Sequence, residues 1–167
     1  TRNRIVAQYV GRPYDPDDVN KIAELFAELY NAEVMYENEV THVKDYFKRI
    51  KKLHLLAAQP DAEISAYIKE SNVARIYGIH VVEKLKDAGE KYIKKWLLEV
   101  VDYDENDYPI RNIDLIYDPG LLEELMVYNR KGNFDRVMSL MMLMFQLQED
   151  ELGKEYLLKS FKGFRSH

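Results

Sequence analysis

The sequence predicts an α/β domain in which a sheet is flanked by helices and a mainly helical insert occupies 61–110. Three observations carry that expectation. "RIVAQYV" is a short apolar run broken by Gly11, Arg12 and Pro13, "YDPDDVNKIAELFAELYN" has helical punctuation and spacing, and "EVMY" follows it directly. Strand, helix, strand is the grammar of a sheet covered by helices. With 167 residues and 47% hydrophobic content, the chain is long enough to bury a core as one domain spanning 1–167.

Composition narrows the function classes. The absence of cysteine excludes a disulfide framework and a Cys-based zinc site, and favours a reducing setting. The apolar run "MSLMMLMF", 138–145, falls far short of the roughly 20 residues a membrane span needs. No signal peptide opens the chain, so a soluble protein without membrane contact is expected. A net charge of -5 argues against a uniformly basic nucleic-acid binder but is compatible with a local basic patch. The opening "TRNRIVAQYV" has no initiator Met and enters a strand pattern within a few residues, so the chain is expected to be a piece.

The first strand is expected over 4–10. A helix then starts on Asp15 as N-cap, Pro16 at the first helical position and the acids Asp17 and Asp18. Val19, Ile22, Ala23, Phe26, Leu29 and Tyr30 form its apolar stripe, facing a core, while Lys21, Glu24 and Glu28 face water. A buried strand over 33–37 ends at Glu37, and "THVKDYFKRIKKL" forms a second helix with Val43, Tyr46, Phe47 and Ile50 on one side. Residues 41–54 carry Lys44, Lys48, Arg49, Lys51 and Lys52 against Asp45 alone, a local balance of +4. "HLLAAQP" reads as a further short strand closed by Pro60. In the insert, "AGEKYIKKWLLEVVD" has the clearest helical spacing, and no clean strand alternation is visible. Asp118 and Pro119 start another helix. Asp135 opens a last one, "KGNFDRVMSLMMLMFQLQEDE", which is apolar on nearly every face and must be central.

Glu37 and Asp135 thus end or begin two buried elements. Two-metal hydrolysis of phosphodiesters needs carboxylates that converge from separate, rigid elements on ions about 4 Å apart. Hard divalent ions such as Mg²⁺ or Mn²⁺ prefer these oxygen ligands. Singly, a strand-end Glu and a helix-opening Asp are commonplace. His42, His54 and His80 have no metal-ligand spacing among themselves and read as surface or packing residues. Neither a Ser-His-Asp arrangement nor a Gly-rich Walker motif is present. The methionines from Met138 to Met144 read as core filler.

The series "RIVAQYVGRP", "DPDDVNKIAELFAELYNAEVMYEN", "YGIHVVEKLKDAGEKYIKKWL" and "KGNFDRVMSLMMLMFQ" resembles the C-terminal nuclease domain of the large terminase subunit of tailed bacteriophages, over about residues 4–150. The resemblance implies a ribonuclease H-like sheet flanked by helices. It also implies metal-dependent endonuclease cutting of concatemeric viral DNA during packaging, with two Mg²⁺ or Mn²⁺ ions in the complete site. It makes Glu37, in the strand end "YEN", and Asp135 the catalytic, metal-binding carboxylates of this chain. Many members place a His and a second acid where this chain has "GNFDR", and a Gly after the strand-end Glu. The family's leading catalytic Asp would lie on a hairpin before Thr1, so the sheet is expected to be incomplete and the chain inactive alone.

Lys44, Lys48 and Lys51, on the helix that follows Glu37, are the candidate DNA-backbone contacts. Double-stranded DNA, the ATPase motor of the terminase and the portal are the implied partners, in the host bacterial cytoplasm at the procapsid. A non-catalytic module docking DNA or a packaging partner is the alternative. Unpaired edges on 4–10 and 33–37 would allow those strands to pair with each other or to form a strand-mediated dimer.

Overall fold

The structure, a computed structural model, describes residues 4–37, 40–60, 77–81 and 83–163, with side chains through Glu151. It is a mixed α/β arrangement with five α-helices and a two-stranded antiparallel sheet among the described residues. The helices are α1 (Pro16–Tyr30), α2 (Thr41–Arg49), α3 (Glu83–Leu98), α4 (Pro119–Val127) and α5 (Asp135–Gly163). The strands β1 (Val100–Tyr103) and β2 (Pro109–Arg111) form a hairpin between α3 and α4. Short 3-10 turns span Leu53–Leu55 and Asn112–Leu115.

Helix α1 begins where its punctuation places it: the Asp15 side chain accepts the Asp17 amide at 2.9 Å and Pro16 takes the first turn, where no amide donor is needed. It ends at Asn31, which adopts a left-handed conformation and lets the Ala32 amide reach the Ala27 carbonyl at 2.9 Å. Its packing differs from the sequence expectation. Asn20 and Ala27 are its buried residues; of the expected stripe Ile22, Ala23 and Phe26 are half-buried, whereas Val19, Leu29 and Tyr30 are exposed. The reason lies in α2. Arg49 binds Asp17, and Lys52 binds both Glu24 and Glu28, so Glu24, expected in water, is drawn in towards α2.

Residues 34–37 are half-buried and joined by isolated bridges, instead of the buried strand expected over 33–37. Val34 bridges Leu56 and Glu37 bridges Ile79, both in parallel, while Ala58 bridges Tyr77 in antiparallel sense. The Val34 amide donates to the Leu55 carbonyl at 2.7 Å, and the Ile79 amide to the Tyr36 carbonyl at 2.9 Å. Side chains alternate across this layer, as an extended backbone requires. Val34 and Tyr36 join the cluster of Tyr46, Phe47 and Leu56 under α2. Met35 packs on the larger core built from α3, α4 and α5, around Leu85, Trp96, Leu121, Met141 and Phe145. Gly78 permits the crossing beneath Tyr36: its φ is 71°, and a Cβ there would stand 2.7 Å from the Tyr36 carbonyl oxygen.

Three further expectations are corrected. Residues 4–10 form no strand, and Val6 and Val10 are exposed. "HLLAAQP" is a 3-10 turn followed by isolated bridges at Leu56 and Ala58, not a continuous strand. The end of the insert is a hairpin instead of helix: Asp104 Oδ1 accepts the Asn106 and Tyr108 amides at 2.8 and 2.9 Å, and Asp107 takes a φ of 62°, which turns the chain back. Residues 61–76 of the insert lie outside the described residues. Because Val34 and Glu37 are bridged within the chain and 4–10 makes no strand, the open edges behind the strand-mediated dimer are not the ones expected. No helix among the described residues is long and apolar enough to cross a membrane.

Candidate functional site

Glu37 is half-buried at the last described residue of the central segment, and its carbonyl accepts the Val40 amide at 3.0 Å. The alternation that sends Met35 towards α3 and α5 sends Glu37 to the same side. Lys86, in the first turns of α3, registers its charge: the Lys86 pKa is raised chiefly by its hydrogen bond to Glu83, with Glu37 among the weaker contributors. Asn38, next in "YEN", lies outside the described residues.

Asp135 is the first residue of α5, and its side chain is 73% exposed. Arg12 approaches it at 3.8 Å as an exposed ion pair. Its backbone is held much more firmly than its side chain. The Ser139 hydroxyl donates to the Asp135 carbonyl at 2.9 Å. Two residues on, Val137 is buried in the core that Met35 also touches. The two carboxylates stand on separate elements that pack on one core, the end of an extended segment and the start of a buried helix. Arg12 stands beside Asp135, whereas the charge of Glu37 is felt at Lys86. Among the described residues no three His, Asp or Glu side chains gather as a metal-holding group.

The start of α5 is organised by residues that sequence reasoning missed. The Glu124 carboxylate of α4 accepts the Arg136 amide at 2.9 Å and the Val137 amide at 3.3 Å, while its other oxygen accepts the Arg136 guanidinium at 2.7 Å. That guanidinium also lies 3.3 Å from Asp118, which caps α4 through the Gly120 and Leu121 amides and accepts Gln8 Nε2 at 2.8 Å. The Glu124 hydrogen bond raises the Arg136 pKa. At Asp118 burial pushes upward, but the bonds from Gln8, Gly120 and Leu121 outweigh it and leave the carboxyl below its ordinary value. On the other flank, Arg130 grips Asp87 and Glu90 of α3 and fastens the loop that leads into α5; its hydrogen bond to Glu90 lowers that carboxyl. Only Asp118 had a sequence signal, as a helix start. The pairings of Glu124 and Arg130 arise from tertiary proximity that local spacing does not encode.

A cavity of about 490 Å³ opens beside Asp135, between residues 5–12, the apolar side of α1 at Val19, Ile22 and Phe26, and Leu140 and Leu143 of α5.

The basic residues of 44–52 divide into two sets. Arg49 and Lys52 are consumed in holding α2 to α1. Lys44, Lys48 and Lys51 are exposed. Lys44 and Lys48 are one helical turn apart, and Lys51, with a φ of 60°, continues beyond the end of α2.

Compared with known proteins, the chain matches no family model, no curated sequence and no solved structure.

Proposed function

We propose that the chain is part of a ribonuclease H-like, metal-dependent DNA endonuclease domain that cuts concatemeric viral DNA during genome packaging, with Glu37 and Asp135 as metal ligands. The observation that supports this reading is the placement of both carboxylates at the ends of separate elements that pack on one core, since rigid, independent supports are what a shared metal site requires. The donor chemistry fits a hard ion: both groups offer carboxylate oxygens. A complete site needs a further ligand beyond these two. When bound, Mg²⁺ or Mn²⁺ supplies Lewis-acid activation of water and stabilisation of the leaving oxygen. Glu37 and Asp135 hold the ion, and Lys44, Lys48 and Lys51 hold the DNA backbone, which is read without regard to sequence.

The test is metal-dependent cleavage of duplex DNA by the protein that carries this chain together with the family's leading Asp. Glu37→Gln and Asp135→Asn are each expected to lower the rate on the order of 10²-fold or more. The unfolding midpoint should stay nearly unchanged for Asp135→Asn, because the side chain is largely exposed. If both variants cut at the parent rate, the metal-site assignment is wrong.

The exposed Lys44, Lys48 and Lys51 also favour a second reading, a non-catalytic module that docks DNA or a packaging partner. It is distinguished by DNA binding that survives both carboxylate substitutions in a protein that never cleaves.

A further inference from the structure

Phe134, which precedes α5, has no side-chain oxygen to cap the helix, so the first amides of α5 need an acceptor from elsewhere. Glu124 supplies it from α4. Its bond to the Arg136 amide matters most for Asp135, because that N–H belongs to the peptide unit whose carbonyl is Asp135's own. The Ser139 hydroxyl donates to that carbonyl, at the other end of the same peptide unit. The peptide that carries the exposed Asp135 side chain is therefore pinned at both its donor and its acceptor. The pin is itself braced, since the Arg136 guanidinium ties the second oxygen of Glu124 and reaches towards Asp118. The Glu124 side chain is 17% exposed, so water competes little for these bonds.

We propose that Glu124 is a positioning residue for Asp135: it fixes the peptide of the metal-binding carboxylate by capping α5 from a neighbouring helix, with Arg136 as its brace. The inference rests on the reading of Asp135 as a metal ligand. Groups that orient a ligand without touching the metal commonly change metal affinity by about 10- to 100-fold when removed.

The experiment uses the protein that carries this chain together with the family's leading Asp, with Mn²⁺ alone as probe. Hydrogen exchange at the Arg136 and Val137 amides reads the cap, and paramagnetic broadening of the Asp135 carboxyl ¹³C signal reads metal at Asp135. In Glu124→Ala, protection of the two amides should fall about five-fold, as for loss of a helix cap. The Mn²⁺ concentration that half-broadens the Asp135 signal should rise about ten-fold. Protection at Met141 and Phe145 should persist, showing that the core is intact. Glu124→Gln keeps one oxygen for the two amides but sets an NH2 group against the Arg136 guanidinium, so it should recover amide protection and Mn²⁺ response in part. Glu24→Ala, in the distant α1–α2 contact, should alter neither. Exposed amides with unchanged Mn²⁺ response would make Glu124 a purely structural cap and overturn the proposal, as would unchanged amides. A parent Asp135 signal that Mn²⁺ never broadens would instead overturn the metal-ligand reading, and the positioning role with it.

Discussion

Tyr46 stands where α2 meets α1, buried to 5% exposure, with its hydroxyl donating to Glu24 Oε2 at 2.6 Å. Burial first, and then that hydrogen bond, push its pKa up to about 12. A raised value favours the protonated form in the folded state. The stability it contributes is therefore complete below about pH 10 and is lost as pH rises from there through about 12. Glu24 behaves in the opposite sense: hydrogen bonds from Lys52 and then Tyr46 lower its pKa, so its contribution is present above its ordinary value of 4.5 and fades as pH falls through the folded one. Tyr46→Phe should cost about 1 kcal/mol at neutral pH. It should also remove the highest-pH component from an absorbance titration of the tyrosines. An unchanged titration curve would show that another tyrosine, or none, is perturbed. Little of this was legible beforehand. Helical spacing placed Tyr46 on the buried side of α2 correctly, yet it also placed Glu24 in water. What decides the matter is the company of Tyr46 and Lys52, and periodicity carries no information about which helix faces which.

Helices α3 and α5 come close at Gly89, where a Cβ would stand 2.4 Å from Met141 Cγ and 3.0 Å from Phe145 Cζ. Gly89→Ala gains about 1 kcal/mol of helix propensity but forces overpacking that costs about 1–3 kcal/mol. The clash is expected to win, giving a net loss of roughly 1 kcal/mol in denaturant unfolding. A more stable variant would mean that the Met141 thioether swings aside and that the helix spacing does not depend on this glycine. Element starts were the most readable part of the sequence. Asp15 with Pro16 and Asp118 with Pro119 each combine a capping carboxylate with a proline whose missing amide costs nothing in the first turn. Asp135 was likewise placed at a helix start, and its helix is central, with Val137, Leu140, Met141 and Phe145 buried. The hairpin escaped because its strands, Val100–Tyr103 and Pro109–Arg111, are too short for alternation to register. Its signal was the run Asp104 to Asp107, read as a separator when it is the turn itself.

Across the whole molecule, an acidic chain with a net charge of -5 holds three exposed lysines on and beyond one short helix. Replacing Lys44, Lys48 and Lys51 by Ala should weaken duplex binding about equally on any DNA sequence. If each lysine meets one phosphate, the slope of log affinity against log salt should flatten by about 3. Unchanged affinity at low salt would leave this face as ordinary surface. Fold and site differ in how far the sequence discloses them at this scale. The α/β character and the two candidate carboxylates can be read from local pattern, because each depends on the residues beside it. The joining of the 34–37 segment to Leu56 and Ile79, and the reach of Glu124 to α5, depend on residues far apart in the chain.

The bridge between Glu37 and Ile79 also bears on the order in which the chain condenses. Closing a loop costs entropy that rises with the logarithm of its length, and contacts between distant residues slow folding. Helices α1 and α2 meet across a short connection, whereas Glu37 must await Ile79 from much farther along the chain. By that reckoning the helical pair is the early-forming part of the chain, and the carboxylate at the end of the central segment is set in register late.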